Sequence, residues 1–205
     1  MQINVENVSK RYRFEWILKN VNYEFQSNNA YAILGPNGSG KSTLLRMLSG
    51  FLTPTKGKVN FTAANAILDA DNIFKRISYS GPYIDLIEEF TLMEAIQFHQ
   101  KFKQPLPGID RDALLDILSF SKSNHKEVRH FSSGMKQRLK LALAITTDSP
   151  ALFLDEPTTN LDRQGMNWYK SLIEQFKKDR LIIVASNIEE DYYFCQKHLS
   201  ILDYK

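Results

Sequence analysis

The chain has 205 residues, 43% of them hydrophobic and 24% charged, with a formal net charge of +3; this is ordinary globular composition, enough for one domain with a substantial core. The lysines and arginines are spread along the chain rather than gathered on one stretch, which argues against a dedicated nucleic-acid binder. The one cysteine, Cys195, excludes an intrachain disulfide, and no run approaches the ~20 apolar residues that cross a bilayer, so a role at a membrane requires a partner.

The polar start, residues 1–13, lacks the apolar core of a leader peptide. Val21, Tyr23 and Phe25 alternate with polar residues, as in a half-buried strand. Residues 31–34 form a short apolar run leading into glycines. Residues 42–48 have helical character and stop at Gly50. Residues 53–57 carry turn chemistry, and 58–61 read as a short strand. Thr91 and Glu94 have capping-box spacing before a helix over 95–102. Asp110 is placed to cap a helix over 113–120, and residues 134–146 repeat apolar side chains at helical spacing. The last part alternates: strand 151–154, helix 166–176, strand 181–185, helix 189–195, strand 199–202. Strands alternating with helices predict an α/β fold with a parallel sheet, and the helical middle reads as an insertion into it.

Gly35-Pro36-Asn37-Gly38-Ser39-Gly40-Lys41-Ser42-Thr43 matches the P-loop pattern, with a buried strand before it and a helix after it. Glycines let the backbone wrap around phosphates with amides pointing inward, and the helix N-terminus favours an anion. Lys41 would reach the β- and γ-phosphates, and the Ser42 hydroxyl would bind Mg²⁺. A glycine-rich turn with an incidental lysine is the bland alternative. It does not account for the complete pattern in this context.

The run 151–154 delivers Asp155 and Glu156 at the C-terminal end of a strand, where α/β folds place ligands. Asp155 would support Mg²⁺ through water, and Glu156 would polarise an attacking water. Two acids at a solvated strand end would look the same in isolation; the P-loop upstream favours the catalytic reading. The four histidines, His99, His125, His130 and His198, show no metal-ligand spacing and read as surface or structural residues.

Phe131-Ser132-Ser133-Gly134-Met135-Lys136-Gln137-Arg138 resembles the signature sequence of ABC nucleotide-binding domains. With Asp155-Glu156-Pro157-Thr158-Thr159-Asn160-Leu161-Asp162, it makes essentially the whole chain similar to that family. The resemblance implies a P-loop NTPase with a RecA-like core, a strand-rich N-terminal part and a helical subdomain over about residues 83–130, all within one nucleotide-binding domain over 1–205. It also implies ATP and Mg²⁺ as ligands. Ser132 and the amides of Ser133 and Gly134, at a helix start, would form a second anion site that closes over the γ-phosphate held by another subunit. Tyr12 falls where the family has an aromatic that stacks on adenine; a half-buried strand aromatic is the other reading. Asp162 matches an aspartate that couples the two sites of the dimer, and it is also placed to cap the next helix.

Two positions depart from the pattern. Pro82 stands where the family has a glutamine that senses Mg²⁺ and the membrane partner. Asn187 stands where the family has a histidine; it can donate to a γ-phosphate but carries no charge, and it could instead cap the helix near Glu189. Phe131 and Ser133 also replace the usual leucine and glycine. The resemblance therefore implies a cytoplasmic ATPase subunit, peripheral to the membrane, paired with a second nucleotide-binding subunit and docked on a permease, with turnover in question. The alternatives are a soluble ABC ATPase outside transport and an ATP-binding module with little hydrolysis. The short chain implies a minimal subunit without a C-terminal regulatory domain.

Overall fold

An antiparallel pair opens the chain in the computed structural model, which describes residues 1–63, 66–120 and 123–205. Strand β1 (Gln2–Tyr12) runs against β2 (Glu15–Phe25), with Ile3 opposite Phe25 and Tyr12 opposite Glu15. Alternation on β1 fails between Val5 and Val8, both buried. The register shifts there and Asn7 takes φ 51°, so an irregularity turns two valines to the same face.

Strand β3 (Ala30–Leu34) leads into α1 (Lys41–Leu48). Then β4 (Lys56–Ala63) pairs with the free side of β1, and β5 (Ala66–Ile67) pairs with β4, giving a four-stranded sheet in the order β2-β1-β4-β5. After α2 (Ala70–Ile73) comes β6 (Ile77–Ser80). Four helices follow in the middle of the chain or just after it: α3 (Leu92–Phe102), α4 (Arg111–Leu118), α5 (Ser133–Ile145) and α6 (Arg163–Phe176). Between α5 and α6 lies β7 (Ala151–Asp155), and β8 (Leu181–Ala185), α7 (Glu189–Tyr192) and β9 (Lys197–Ser200) complete the chain.

The second sheet has the order β6-β7-β8-β3-β9, and its pairs β7/β8, β8/β3 and β3/β9 are parallel. Every residue of β7 and β8 is buried, as expected for parallel strands covered on both faces. Leu44, Leu45, Met47 and Leu48 of α1 join Ile33, Phe153 and Ile183 in one core with Val5 and Phe25 of the antiparallel sheet.

The chain separates into two compact units. The first holds Met1–Tyr79, Ser149–Glu156 and Asp179–Lys205; the second holds Ser80–Asp148 and Pro157–Lys178. The second contains all of the insert expected at 83–130 and also takes in α5 and α6. Its core joins Leu92 and Ile96 of α3, Leu114 and Leu118 of α4, and Leu139 of α5. Its helix starts follow the expected chemistry. Thr91 Oγ1 accepts from the Glu94 amide at 3.3 Å while Glu94 Oε2 accepts from the Thr91 amide at 2.8 Å. Asp110 Oδ1 accepts from the Ala113 amide at 2.8 Å.

Two expected elements near the end differ. The helix read over 189–195 is the single turn α7, because after it the chain folds back with the Cys195 amide donating to Tyr192 O at 2.8 Å and Phe194 and Cys195 turned inward. The strand read over 199–202 is β9, which begins at Lys197 because its register is set by pairing with Tyr31–Leu34 of β3; Ile201–Tyr204 then coil into a 3₁₀ turn.

His99 on α3 lies 2.9 Å from Thr147 Oγ1, and burial, helped by the nearby Lys103 charge, pushes it down from 6.5 to about 4. The folded chain therefore resists protonating a group that the unfolded chain protonates readily, so this residue's contribution is intact above pH 6.5 and is lost as pH falls towards 4. We expect the stability difference between wild type and His99→Gln to shrink by roughly 1–2 kcal/mol between pH 7 and pH 5. Urea unfolding midpoints at both pH values check this; a difference independent of pH would show that His99 stays ionisable in the fold.

Candidate nucleotide site

Strand β3 hands the chain to the P-loop at Gly35, and α1 starts at Lys41. The hand-over needs Gly40: it takes φ 97°, and a Cβ there would lie 2.7 Å from Ile17 Cγ2. Gly40 also occupies the cap position of α1, so the first turn, which begins at Lys41, has no side-chain cap hydrogen bond. Pro36, Asn37 and Gly38 are exposed at the rim of the loop. Lys41 is buried, and its Nζ donates to the loop's own carbonyls, Gly35 O at 2.9 Å and Pro36 O at 3.1 Å. Ser39 Oγ is buried with no hydrogen-bond partner among the described residues, an unmet polar atom inside the loop.

The parallel pairing sets what stands beside the loop. Ala185 of β8 is in register with Ile33 of β3 on one side and with Asp155 of β7 on the other. The C-terminal ends of three strands, followed by Gly35, Glu156 and Ser186, therefore open on one edge of the sheet. Asp155 is 0% exposed. Ser42 Oγ donates to its Oδ1 at 2.9 Å, and Tyr79 OH donates to its Oδ2 at 3.2 Å. Burial raises the Asp155 carboxyl above its usual range, and the Ser42 and Tyr79 hydroxyls oppose that rise. The oxygens of Ser42 and Asp155 are hard donors already within hydrogen-bond reach, a pair suited to Mg²⁺.

Glu156 follows directly, in the left-handed region at φ 46°, and its amide donates to Ala185 O at 2.9 Å. A non-glycine residue there stores roughly 1 kcal/mol or more of strain and is common at functional sites. Asn187 is exposed just past β8. It is not the cap of α7: that position belongs to Ile188, and no side chain caps the turn. The neighbouring Ser186 hydroxyl is buried, accepts from the Ile188 amide at 3.0 Å and donates to Asp191. Tyr12 ends β1 at 45% exposure, with Lys10 Nζ 5.3 Å from its ring centre, and this exposure and strand position also fit the half-buried strand aromatic that was the other reading.

In the second unit, Ser132, Ser133, Gly134 and Asp162 line one cavity of about 340 Å³. Ser132 caps α5, its Oγ accepting from the Met135 amide at 3.2 Å. Asp162 caps α6, its Oδ1 accepting from the Gly165 amide at 2.7 Å, so the capping reading of this residue holds. A Cβ on Gly134 would come within 3.1 Å of Asn160 O, which keeps the position small. Pro82 is exposed beside the turn in which Ile84 N donates to Gly81 O at 3.2 Å. Two features escaped the sequence reading: the Tyr79 hydrogen bond to Asp155, and Arg138 lying 4.6 Å from the Trp168 ring centre and 5.4 Å from that of Phe120. Neither leaves a mark in spacing, because each joins residues far apart in the chain.

A family model described as ABC transporter matches residues 18–159. The chain belongs to the ABC transporter ATP-binding family. The lantibiotic transport ATP-binding protein SrtF of Streptococcus pyogenes is 30% identical to this ABC chain over 190 residues, covering 90% of it and 79% of the relative. The daunorubicin resistance ATP-binding protein DrrA3 of Streptomyces coeruleorubidus is 32% identical over 166 residues, covering 80% and 52%. The dimeric structure of a bacterial ABC transporter cassette superposes with a TM-score of 0.80 at 24% identity, covering 97% of this chain and 94% of that one. Among the described residues, no helix of the ABC chain is long and apolar enough to cross a membrane.

The buried lysine generates a direct expectation. Lys41→Ala removes the loop's one side-chain cation, and ATP affinity should fall at least about tenfold, since a charge-assisted bond to phosphate has no substitute there. Equilibrium binding of a fluorescent ATP analogue checks it, and wild-type affinity in the variant would remove Lys41 from the site.

Proposed function

We propose that this ABC subunit hydrolyses ATP and, paired with a second nucleotide-binding subunit, drives a membrane permease from the cytoplasmic face. The observation that carries the reading is the Ser42–Asp155 pair beside the P-loop, with Glu156 next in the chain. The names of the relatives, lantibiotic transport and daunorubicin resistance, favour export as the direction.

The residues divide the work. On ATP binding, Lys41 exchanges the carbonyls of Gly35 and Pro36 for the β- and γ-phosphates, and the amides of residues 38–43 surround the same oxygens. Tyr12 stacks on the adenine. Mg²⁺, held by Ser42 Oγ and by Asp155 through water, would supply Lewis-acid neutralisation of the phosphate charge when bound. Glu156 orients the attacking water and takes its proton. Asn187 donates its side-chain amide to the γ-phosphoryl oxygens, where charge spreads in the transition state. Ser132, Ser133 and Gly134 face the γ-phosphate held by the other subunit, and Asp162 links the two sites of that dimer. Hydrolysis then removes the anion that holds the sandwich closed, and the permease responds to its reopening.

A second reading, ATP binding with little turnover, is favoured by two side chains: Pro82 has no amide to offer, and Asn187 gives a neutral donor in place of a charged one. A steady-state ATPase measurement with and without a candidate permease separates the two readings.

Glu156→Gln should keep ATP binding, slow hydrolysis at least about tenfold and accumulate an ATP-bound dimer on size exclusion. Unchanged turnover would remove Glu156 from the role of catalytic carboxylate. Asn187→His should raise kcat with little change in ATP affinity, because a cationic donor binds the developing charge more strongly. A flat kcat would leave Asn187 as an ordinary turn residue.

A further inference from the structure

The Asp155 carboxylate has no exposure to water, and a buried charge of this kind needs donors on both oxygens. One donor comes from the P-loop serine: Ser42 Oγ reaches Oδ1 at 2.9 Å. The other comes from β6, where Tyr79 OH reaches Oδ2 at 3.2 Å. Together the two hydroxyls hold the carboxylate at two points. With one alone, the group could swivel about its Cβ–Cγ bond and turn Oδ1 away from Ser42.

The phenol is itself held. Strand β6 is buried at Ile77, Ser78 and Ser80, and Tyr79 between them is only partly buried, packing on the main core. Its ring stands edge-on to Phe51, with centres 5.3 Å apart and planes at 70°. The hydroxyl thus has a fixed place at the end of a sheet strand rather than on a loop. Pro82 follows three residues later and brings no side-chain donor.

We propose that Tyr79 is a positioning residue for the metal-binding carboxylate: its hydroxyl fixes Asp155 Oδ2, so that Oδ1 and Ser42 Oγ stay paired to share a divalent cation when nucleotide is bound. The inference rests on the ATP-binding reading of the P-loop. Partners of this kind, one step behind the metal, commonly set metal affinity by 10-fold or more. In this arrangement Tyr79 acts through Asp155.

The test is Tyr79→Phe, which keeps the ring and its packing on Phe51 and removes the hydroxyl alone. Mn²⁺ serves as the probe, titrated by electron paramagnetic resonance into protein saturating a limiting amount of ATP. ATP affinity in EDTA and the thermal midpoint are measured on the same samples. The expected result is about tenfold weaker Mn²⁺ binding by the protein–ATP complex, with ATP affinity in EDTA and the thermal midpoint close to wild type. Wild-type Mn²⁺ affinity in the variant would overturn the proposal. A variant that loses ATP affinity in EDTA and thermal midpoint together would overturn it as well, because Tyr79 would then be a packing residue. If the wild-type protein itself fails to bind ATP in EDTA, the P-loop reading fails first, an outcome the variant cannot mimic.

Discussion

A hydrogen bond between Ser42 and Asp155 spans 113 positions of sequence, and the arrangement of the first unit follows from what is needed to make it. Asp155 ends a strand whose every residue is buried, and Ser42 sits in the first turn of the helix that follows β3. Between β3 and β7 lies β8, so two parallel registers must both be right before the serine can meet the carboxylate. A slip of one residue between β7 and β8 would turn Asp155 to the opposite face, and a slip between β3 and β8 would carry Ser42 away from it; either costs the buried carboxylate its serine donor. The apolar runs of β3, β7 and β8 supply the burial that makes such a slip costly.

Around that bond the backbone departs from the common conformations at specific places. Gly40 takes φ 97° where Ile17 leaves no room for a Cβ, and Glu156 takes φ 46° although it has a side chain. The first departure costs little, because glycine is free of the penalty. The second is sustained by the Glu156 amide, which donates to Ala185 O and so extends the sheet pairing one residue past β7. The carboxylate next to a sheet end is thereby aimed by the backbone, before any side-chain partner acts on it.

Much of this was legible in the sequence where the signal is local. The glycine spacing from Gly35 to Gly40, the Thr91–Glu94 capping box and the acids after an apolar run each depend on neighbours a few residues apart. What could not be read depends on distant partners. The length of β9 follows from pairing with β3, the end of α7 from the burial of Phe194 and Cys195, and the Tyr79 contact from β6 and β7 lying side by side. The extent of the helical unit is a case of the same kind, since α6 belongs with α3 to α5 by packing although a sheet strand precedes it in the chain. The cap at Asp162 was legible because it is a local bond, whereas the link across a dimer proposed for the same residue comes from the family resemblance alone.

The amine of Lys41 is folded onto the carbonyls of Gly35 and Pro36. The loop's cation is thereby already solvated by the backbone that a nucleotide would otherwise have to organise. An incoming anion gains only the difference between phosphate oxygens and peptide oxygens at that nitrogen, not the whole interaction. Such a loop acts as a threshold. A small, weakly charged anion offers too little to displace two well-placed carbonyls, whereas a chain of phosphates engages the lysine and the uncapped helix start at once. On the proposed ATP-binding reading, selectivity for a polyphosphate over smaller anions would begin with the position of this one side chain.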